Sequence, residues 1–283
     1  MSIENRKPDW LKIKLRHSKL SVQVSDTLRK HQLHTICTSG RCPNQGECWN
    51  CGTATFMICG DICTRSCKFC NVKTGKPLHL DENEPENLAN SVKALKLKHV
   101  VITSVDRDDL DDLGASQWVK VIKAVKEKNP EVTMEVLIPD FQGRKNLIDL
   151  IIKARPEVIS HNLETVKRLS KNIRSRATYE TSLNLVQQIA SSGITAKSGI
   201  MLGLGETRSE VIETMDDLLA AGCSVITIGQ YLRPSKRNVE VAEYIHPQIF
   251  EEYRNIGIEK GFARVESAPL VRSSYHAERH VEN

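Results

Sequence analysis

The sequence predicts an α/β fold in which short parallel strands alternate with helices. Six short apolar runs rich in β-branched residues recur along the chain, and a helix-like stretch follows each run. The runs are apolar almost throughout, which is typical of parallel strands that are covered on both faces. The 283 residues, 40% of them hydrophobic, are enough to bury a substantial core. This pattern alone leaves open a doubly wound sheet and a complete or partial barrel.

The predicted elements follow a polar lead-in, residues 1–36, that contains one amphipathic helix, Val22–Leu33. The predicted strands are Thr53–Cys59, His99–Val105, Thr133–Pro139, Glu157–Leu163, Thr195–Leu202 and Ser224–Gln230. The predicted helices are Glu84–Leu97, Ser116–Glu127, Arg144–Ala154, Thr178–Ala190, Glu206–Ala221 and Pro247–Lys260. A short strand, Ala263–Ser267, and a polar tail end the chain.

The composition argues against several classes of protein. The net charge of +5 is spread along the chain and only 5% of the residues are aromatic, so no nucleic-acid-binding surface is predicted. No apolar run approaches the ~20 residues of a membrane span, and the N-terminal stretch lacks the apolar core of a secretory signal. We therefore expect a cytoplasmic protein that uses neither membrane nor nucleic acid and whose thiols stay reduced.

Eight of the nine cysteines lie in one segment of the chain, and Cys223 alone lies elsewhere. An odd number of crowded cysteines in a cytoplasmic protein indicates metal ligation rather than disulfide bonds. Two triplets with different spacings suggest two metal sites. They are Cys37-x4-Cys42-x5-Cys48 and Cys63-x3-Cys67-x2-Cys70.

The second triplet follows the first predicted strand directly, at the end where parallel sheets bind ligands. Three thiolates suit a four-iron cluster that keeps one iron open for chemistry. Structural zinc takes four ligands, and no fourth is evident because Cys223 lies at the start of a predicted strand. An iron–sulfur cluster is therefore favoured, with zinc and uncoordinated cysteines as the alternatives.

With Phe69 before its last cysteine, the CxxxCxxC loop resembles the signature of the radical S-adenosylmethionine superfamily. The resemblance implies a partial (βα)6 barrel and an open iron that binds S-adenosylmethionine and cleaves it reductively to a 5′-deoxyadenosyl radical. It also implies that Phe69 contacts the cofactor and that Lys197, Gly203 and Glu206 lie near the adenosyl moiety. The glycines between Gly199 and Glu206 are not a dinucleotide-binding fingerprint, because their spacing departs from GxGxxG.

The first triplet and the terminal RSSYHA resemble the signatures of lipoyl synthases, as do VDRDDL, SHNLET, KSGIMLGLGE and GQYLRPS. The resemblance implies insertion of two sulfur atoms at C6 and C8 of an octanoyl chain that is amide-linked to a lysine of a carrier domain. The sulfur would come from an auxiliary cluster held by Cys37, Cys42, Cys48 and Ser274. From sequence alone, Ser273 and Ser274 would be expected to make turn hydrogen bonds.

The resemblance divides the chain into an extension with the auxiliary ligands, residues 1–51, a core barrel, residues 52–263, and a tail with the RSSY motif, residues 264–283. The cofactors that it implies are two [4Fe-4S] clusters and S-adenosylmethionine. The partners are octanoylated carrier domains (2-oxoacid dehydrogenase E2 or glycine cleavage H protein), an electron donor such as ferredoxin or flavodoxin, and an iron–sulfur carrier for cluster repair. Basic residues of the lead-in and of Lys167–Arg176 either face an acidic carrier or form an ordinary solvated surface.

Two other functions stay open. Another radical enzyme, such as a methylthiotransferase or a dehydrogenase, would share the CxxxCxxC loop but would not predict the first triplet together with RSSY. A non-enzymatic zinc-binding module would predict a colourless protein with tetrahedral zinc.

Polar residues at the ends of the predicted strands are further candidates. They are Thr103, Ser104, Asp106 and Arg107, then His161, Asn162 and Glu164, then Gln230, Tyr231 and Arg233. Each alone is more often a loop or capping residue, but their shared end of the sheet favours a common site. Cys51 and Cys59 belong to neither triplet and are expected to be buried free thiols, with a rearranged ligand set around Cys51 as the alternative.

Overall fold

Eight strands in one sheet form the framework of the protein in a computed structural model that describes residues 7–12, 18–50 and 54–281. The strands in chain order are β1 (His34–Thr35), β2 (Thr55–Ile58), β3 (Ile62–Cys63), β4 (Lys73–Thr74), β5 (His99–Ser104), β6 (Thr133–Leu137), β7 (Val158–Ser160), β8 (Thr195–Leu202), β9 (Val225–Gln230) and β10 (Arg264–Ser267). The sheet runs in the order β1-β2-β5-β6-β7-β8-β9-β10, and β3 and β4 form a separate pair.

The seven strands from β2 to β10 in this order are parallel to their neighbours, and β1 adds an antiparallel edge. Each of the six predicted strands is present, and they lie side by side in chain order as successive βα units require. In the described residues β1 and β10 occupy opposite edges, so the predicted partial barrel is confirmed.

The helices in chain order are α1 (Lys19–Lys30), α2 (Ile36–Ser39), α3 (Gln45–Asn50), α4 (Glu84–Ala94), α5 (Ala115–Lys128), α6 (Lys145–Ala154), α7 (Lys167–Ile173), α8 (Tyr179–Ser191), α9 (Arg208–Ala220) and α10 (Pro247–Lys260). Three short 3₁₀ helices are Asp9–Leu11, Phe141–Gly143 and Ala277–His280. The six predicted core helices are present with small shifts at their ends. The short helix α7 was not predicted because seven residues give little periodicity.

The lead-in helix begins three residues earlier than predicted. Ser18 and Ser21 form a capping box, in which each serine side chain accepts a hydrogen bond from the other's backbone N–H. This satisfies N–H groups that would otherwise lack partners, so the helix begins at Lys19. At the other end the helix stops at Lys30, before the predicted Leu33.

The main core is a large apolar cluster between the strands and the helices that cover them, and a second, smaller cluster of buried residues lies apart from it. Phe56, Ile102, Val136, Ile159 and Ile226 contribute from five strands of the sheet, and each is inaccessible to solvent. Burying an aliphatic or phenyl side chain of this size stabilises the fold by roughly 1.5–3 kcal/mol. None of the helices in the described residues is long and apolar enough to span a membrane.

The two cysteine triplets lie on opposite sides of strand β2 in the sequence. The predicted first strand, Thr53–Cys59, begins at a residue outside the described part of the chain, and the observed strand ends at Ile58 because Cys59 adopts a left-handed backbone with φ of 66°. Strand β1 pairs with β2 through His34 opposite Met57 and Thr35 opposite Phe56. This pairing fixes the extension to the sheet just before Cys37.

Strand β10 pairs in parallel with β9 and lies in the region predicted as the tail. The chain after it returns across the carboxyl end of β9, where the backbone N–H of Gln230 donates to the carbonyl of Pro269 at 3.1 Å. The RSSY motif is thereby brought to the same end of the barrel as both cysteine triplets.

Candidate active site

A cavity of about 360 Å³ lies at the carboxyl ends of the strands. Five cysteines from the two triplets line it, namely Cys37, Cys42, Cys63, Cys67 and Cys70. Eight of the predicted strand-end residues line it as well: Thr103, Ser104, Asp106, His161, Asn162, Glu164, Gln230 and Tyr231. The common site that the sequence favoured is therefore present.

Two strand-end candidates have other contacts and are not part of the cavity wall. The Arg107 guanidinium donates to the carbonyls of Cys59 and Leu78 at 3.2 and 3.1 Å. The Arg233 guanidinium donates to the carbonyl of Asn238 at 2.9 Å, within its own loop. Both arginines hold loops in place.

The CxxxCxxC loop is built on three neighbouring parts of the barrel. The Thr64 N–H donates to the carbonyl of Asp106 after β5 at 3.1 Å, and the Lys68 N–H donates to the carbonyl of Ile173 on α7 at 2.8 Å. The Asn238 amide donates to the carbonyls of Lys68 and Cys70 at 3.2 and 2.8 Å. The loop backbone is thus held by hydrogen bonds from the protein itself.

Arg65, inside the same loop, is a site residue that sequence reasoning missed. Its buried guanidinium contacts Asp106 at 3.2 Å, Asp108 at 2.8 Å and Asp140 at 2.8 Å. The aspartates follow β5 and β6, so the charge network ties the loop to two strand ends. A basic residue within the CxxxCxxC spacing, together with the acidic VDRDDL segment, was the available signal.

The network shifts the acidity of its carboxyl groups in opposite directions. Burial raises the pKa of Asp106 to about 6, although Arg65 opposes this effect. Burial also acts to raise the pKa of Asp108, but hydrogen bonds from Arg65 and Gln142 outweigh it and hold that pKa below its ordinary value. The Asp106 carboxyl group lies 3.7 Å from the Cys63 sulfur.

Two thiols of the second triplet, Cys63 and Cys70, favour the neutral form. Burial, with the charge of Asp106 second, raises the pKa of Cys63 to about 12, and burial raises the pKa of Cys70 to about 11. Iron would lower these values because it binds the thiolate. Three thiols around a partly apolar cavity fit an iron–sulfur cluster in donor chemistry.

No three His, Cys, Asp or Glu side chains of the described residues converge closely enough to hold a single metal ion. The fit to a cluster therefore rests on the cysteine spacing and on the shared cavity.

The first triplet lies on α2 and α3 and on the turn between them. Cys37 is buried on α2, and the Cys42 N–H donates to its carbonyl at 2.9 Å. Burial raises the pKa of both thiols, and the positive charge of Arg272 opposes this at Cys42. Cys48 is half-buried on α3 outside the cavity wall, close to Tyr275, whose pKa is raised to about 12 by burial, Glu47 and Cys48.

The tail is tied to the extension on both sides of Ser274. The Asn44 amide donates to the carbonyl of Leu270 at 2.7 Å, and the Tyr275 hydroxyl donates to Glu47 at 3.1 Å. Ser274 lines the cavity together with Cys37 and Cys42. The structure thus brings the four residues of the predicted auxiliary site to one region of the molecule.

The two serines of RSSY differ in their contacts. The Ser273 hydroxyl accepts a hydrogen bond from the Asn162 amide at 2.7 Å. Within the described ranges, 7–12, 18–50 and 54–281, no hydrogen bond involves the Ser274 hydroxyl. Of the two, Ser274 is the serine whose oxygen is available to a ligand.

The four predicted cofactor contacts separate into two groups. Phe69 lines the cavity. Lys197 is fully buried against Glu135, and Glu206 accepts hydrogen bonds from the N–H groups of Gly203 and Leu204 at 2.6 and 2.9 Å, which closes the turn after β8. The cavity is lined on this strand by Gly199, Ile200 and Met201, so contact of Lys197, Gly203 and Glu206 with a cofactor stays a prediction.

His161 is a cavity residue whose ring is fully engaged by the protein. Its Nδ1 lies 2.8 Å from the carbonyl of Ile138, and its Nε2 lies 3.0 Å from the Ser182 hydroxyl. Burial and the nearby Arg174 lower the pKa of His161 to about 4, so the ring is neutral at neutral pH. This chemistry suits a rigid wall rather than proton transfer.

The two described cysteines outside the triplets, Cys59 and Cys223, are not part of the cavity wall. Cys59 is buried after β2 and Cys223 is buried before β9, where its thiol donates to the carbonyl of Val225 at 3.2 Å. Cys51 lies outside the described residues, so the alternative ligand set around it stays a hypothesis.

The chain is similar to known proteins over almost its whole length. Residues 57–218 match the family model of the radical SAM superfamily. The chain is 70% identical over 281 residues to the lipoyl synthase of Treponema denticola, covering 99% of this chain and 97% of that protein. It is 62% identical over 277 residues to the lipoyl synthase of Phocaeicola vulgatus, covering 98% of each.

Among solved structures, Streptococcus suis SuiB bound to S-adenosylmethionine superimposes with a TM-score of 0.57 at 11% identity. The match covers 91% of this chain, which spans about half, 52%, of the length of that one. At this identity the likeness shows the fold alone.

Proposed function

The chain belongs to the lipoyl synthase family of the radical SAM superfamily, and we propose that it inserts two sulfur atoms, at C6 and C8, into an octanoyl chain on a carrier-domain lysine. The observation that carries this proposal is the convergence of five triplet cysteines and Ser274 at one cavity, with Cys48 just outside its wall. The cavity wall also contains apolar side chains that suit a hydrocarbon chain, namely Leu137, Ile138, Ile200, Met201 and Val271.

Each triplet is assigned one cluster. Cys63, Cys67 and Cys70 hold the [4Fe-4S] cluster that binds S-adenosylmethionine, and Cys37, Cys42, Cys48 and Ser274 hold the auxiliary [4Fe-4S] cluster. When bound, the first supplies the electron that cleaves S-adenosylmethionine and the second supplies sulfur.

The protein's own contribution is to hold and enclose these groups. Arg65 and its three aspartates fix the CxxxCxxC loop, and Phe69 lies in the cavity wall beside it. The buried strand-end side chains keep water away from the reacting carbon atoms.

The partners follow from the proposed reaction. They are octanoylated carrier domains of a 2-oxoacid dehydrogenase or of the glycine cleavage H protein, an electron donor such as ferredoxin or flavodoxin, and an iron–sulfur carrier that rebuilds the auxiliary cluster. We place the enzyme in the cytoplasm, where thiols stay reduced. Lys167 and Lys171 on α7 are candidates for contact with an acidic carrier surface.

The reaction is tested by mass spectrometry of an octanoyl-lysine peptide after a single turnover with S-adenosylmethionine and a reductant. The expected product carries two added sulfurs. A product with a single methylthio group or a desaturated chain would instead identify a methylthiotransferase or a dehydrogenase.

The same assay tests the role of Ser274. Oxygen is a harder ligand than thiolate and a weaker match to cluster iron, so a serine-bound iron is released more easily. Ser274→Cys should therefore retain iron and lose at least tenfold in sulfur insertion. Unchanged insertion by this variant would contradict the labile-ligand role.

A further inference from the structure

A fully buried ion pair crosses the barrel interior between β6 and β8. Lys197 and Glu135 both have side chains with 0% exposure, and the Lys197 ammonium lies 2.7 Å from each carboxylate oxygen. Taking two charges out of water is costly, and apolar side chains of similar size stabilise an interior as well or better. The pair therefore requires an explanation other than core stability.

The remaining hydrogen-bonding capacity of the ammonium is directed at the tail. Lys197 donates to the backbone carbonyl of Ser273 at 2.5 Å, and its Nζ lies 3.1 Å from Nδ1 of His280. His280 is also 3.7 Å from the Glu135 carboxylate. An ammonium group has three protons, and these contacts with Glu135, Ser273 and His280 use all of them.

These contacts clamp the tail on both sides of Ser274. The barrel holds Ser273 at two atoms. Lys197 donates to its carbonyl, and the Asn162 amide donates to its hydroxyl. His280 is the last residue of a 3₁₀ helix that begins three residues after Ser274. Ser274 itself lines the cavity, and in the described part of the chain its hydroxyl has no hydrogen bond.

We propose that Lys197 and Glu135 are positioning residues that hold Ser274 at the auxiliary cluster. Glu135 keeps the Lys197 ammonium fixed and charged inside the barrel. The ammonium donates a hydrogen bond to the carbonyl of Ser273, the residue before the serine ligand. The inference rests on the proposed function, because it takes Ser274 as a ligand of the auxiliary cluster.

The geometry explains why a charged donor is used at this position. The Ser273 carbonyl meets Lys197 inside the barrel, where the backbone groups of the strands serve the pairing between neighbouring strands. A lysine on β8 reaches the carbonyl from inside the barrel. Without Glu135 its charge would be buried and uncompensated, which is strongly destabilising.

The test measures iron binding at each site separately. Replacing Cys63, Cys67 and Cys70 by alanine leaves only the auxiliary cluster, and replacing Cys37, Cys42 and Cys48 leaves only the other one. Into each background we place the double variant Lys197→Met/Glu135→Gln, which removes both charges together and leaves neither buried alone. Iron per chain and the Mössbauer spectrum are measured after anaerobic reconstitution.

In the auxiliary-only background, the double variant should keep about four irons per chain, because the three cysteines still hold the cluster, and should show an altered Mössbauer signal for the iron that loses Ser274. In the background that lacks Cys37, Cys42 and Cys48, the iron content and Mössbauer spectrum of the double variant should match those of the parent protein. Retention of iron and an unchanged spectrum in the auxiliary-only background would overturn the proposal. Loss of iron in both backgrounds would do so too, since it would show a general structural role.

Ser274→Ala in the auxiliary-only background separates this inference from the proposed function. If Ser274→Ala changes the spectrum or the iron content and the double variant does not, only the positioning role fails. If Ser274→Ala changes neither, the assignment of Ser274 as a ligand fails, and the positioning role fails with it.

Discussion

Arg65 illustrates how one side chain organises the site at the scale of the residue. Its guanidinium reaches carboxylates that follow two different strands, Asp106 and Asp108 after β5 and Asp140 after β6. A guanidinium presents five donors in a fixed plane, so it can bridge several carboxylates at once in a fixed geometry. The position of the CxxxCxxC loop is therefore coupled to the ends of the neighbouring strands.

His161 gives a prediction for pH. Its folded-state pKa is lowered from 6.5 to about 4, chiefly by burial, so the unfolded chain takes up a proton at a higher pH than the folded one. The stability that the neutral ring contributes is thus complete above pH 6.5 and is lost as the pH falls toward 4, by about 3 kcal/mol in all.

The measurement compares urea unfolding of the iron-free protein with that of His161→Asn between pH 7 and pH 4. The difference in unfolding free energy between the two should shrink as the pH falls. A difference that stays constant over this range would mean that the histidine pKa is not lowered in the folded state.

At the scale of elements, the tail depends on a close approach to β9. A Cβ atom on Gly229 would lie 2.1 Å from the carbonyl oxygen of Val271, far inside van der Waals contact. The carbonyl belongs to the backbone just before RSSY and cannot rotate away as a flexible side chain would. A glycine is therefore required where the tail crosses the strand.

Gly229→Ala should lower the free energy of unfolding by about 1–3 kcal/mol and make residues 268–281 more sensitive to limited proteolysis. Gly75→Ala is the matched control, because a Cβ there would meet only the Ile62 side chain at 3.5 Å, and its cost should stay within about 0.5 kcal/mol. Equal effects of the two substitutions would show that the tail does not need this close approach.

At the scale of the whole molecule, the auxiliary site joins three parts of the chain that are distant in sequence. The extension is attached to the sheet by β1, the tail is attached by Lys197 and Asn162, and the two meet through Asn44 and Tyr275. A cluster at this meeting point would cross-link the extension and the tail.

Reconstitution with iron should therefore slow amide hydrogen exchange in residues 34–50 and 268–281 at least tenfold, which corresponds to about 1.4 kcal/mol. Amides of β5 and β6 should change little, because their protection comes from the sheet. A protein with Cys37, Cys42 and Cys48 replaced by alanine is the control and should show no slowing in either segment. Uniform slowing over the barrel would contradict this prediction.

The sequence by itself determined the fold class, the two cysteine triplets and the end of the sheet at which the second triplet lies. The alternation of apolar runs and helices reports which residues are buried, and ligand spacing within a loop is a local property. The ends of the elements were less well predicted. The start of α1 depends on the capping box of Ser18, and the end of β2 depends on the left-handed backbone of Cys59.

Only the tertiary structure decided how the site is assembled. Lys197 and Ser273 are 76 residues apart, and Asn162 and Ser273 are 111 apart, so neither contact leaves a signal in local sequence. The same applies to Arg65, whose carboxylate partners come from two other strands. Hydrophobic periodicity specifies which face of an element is buried, but the partners of a buried polar group depend on which elements the fold places side by side.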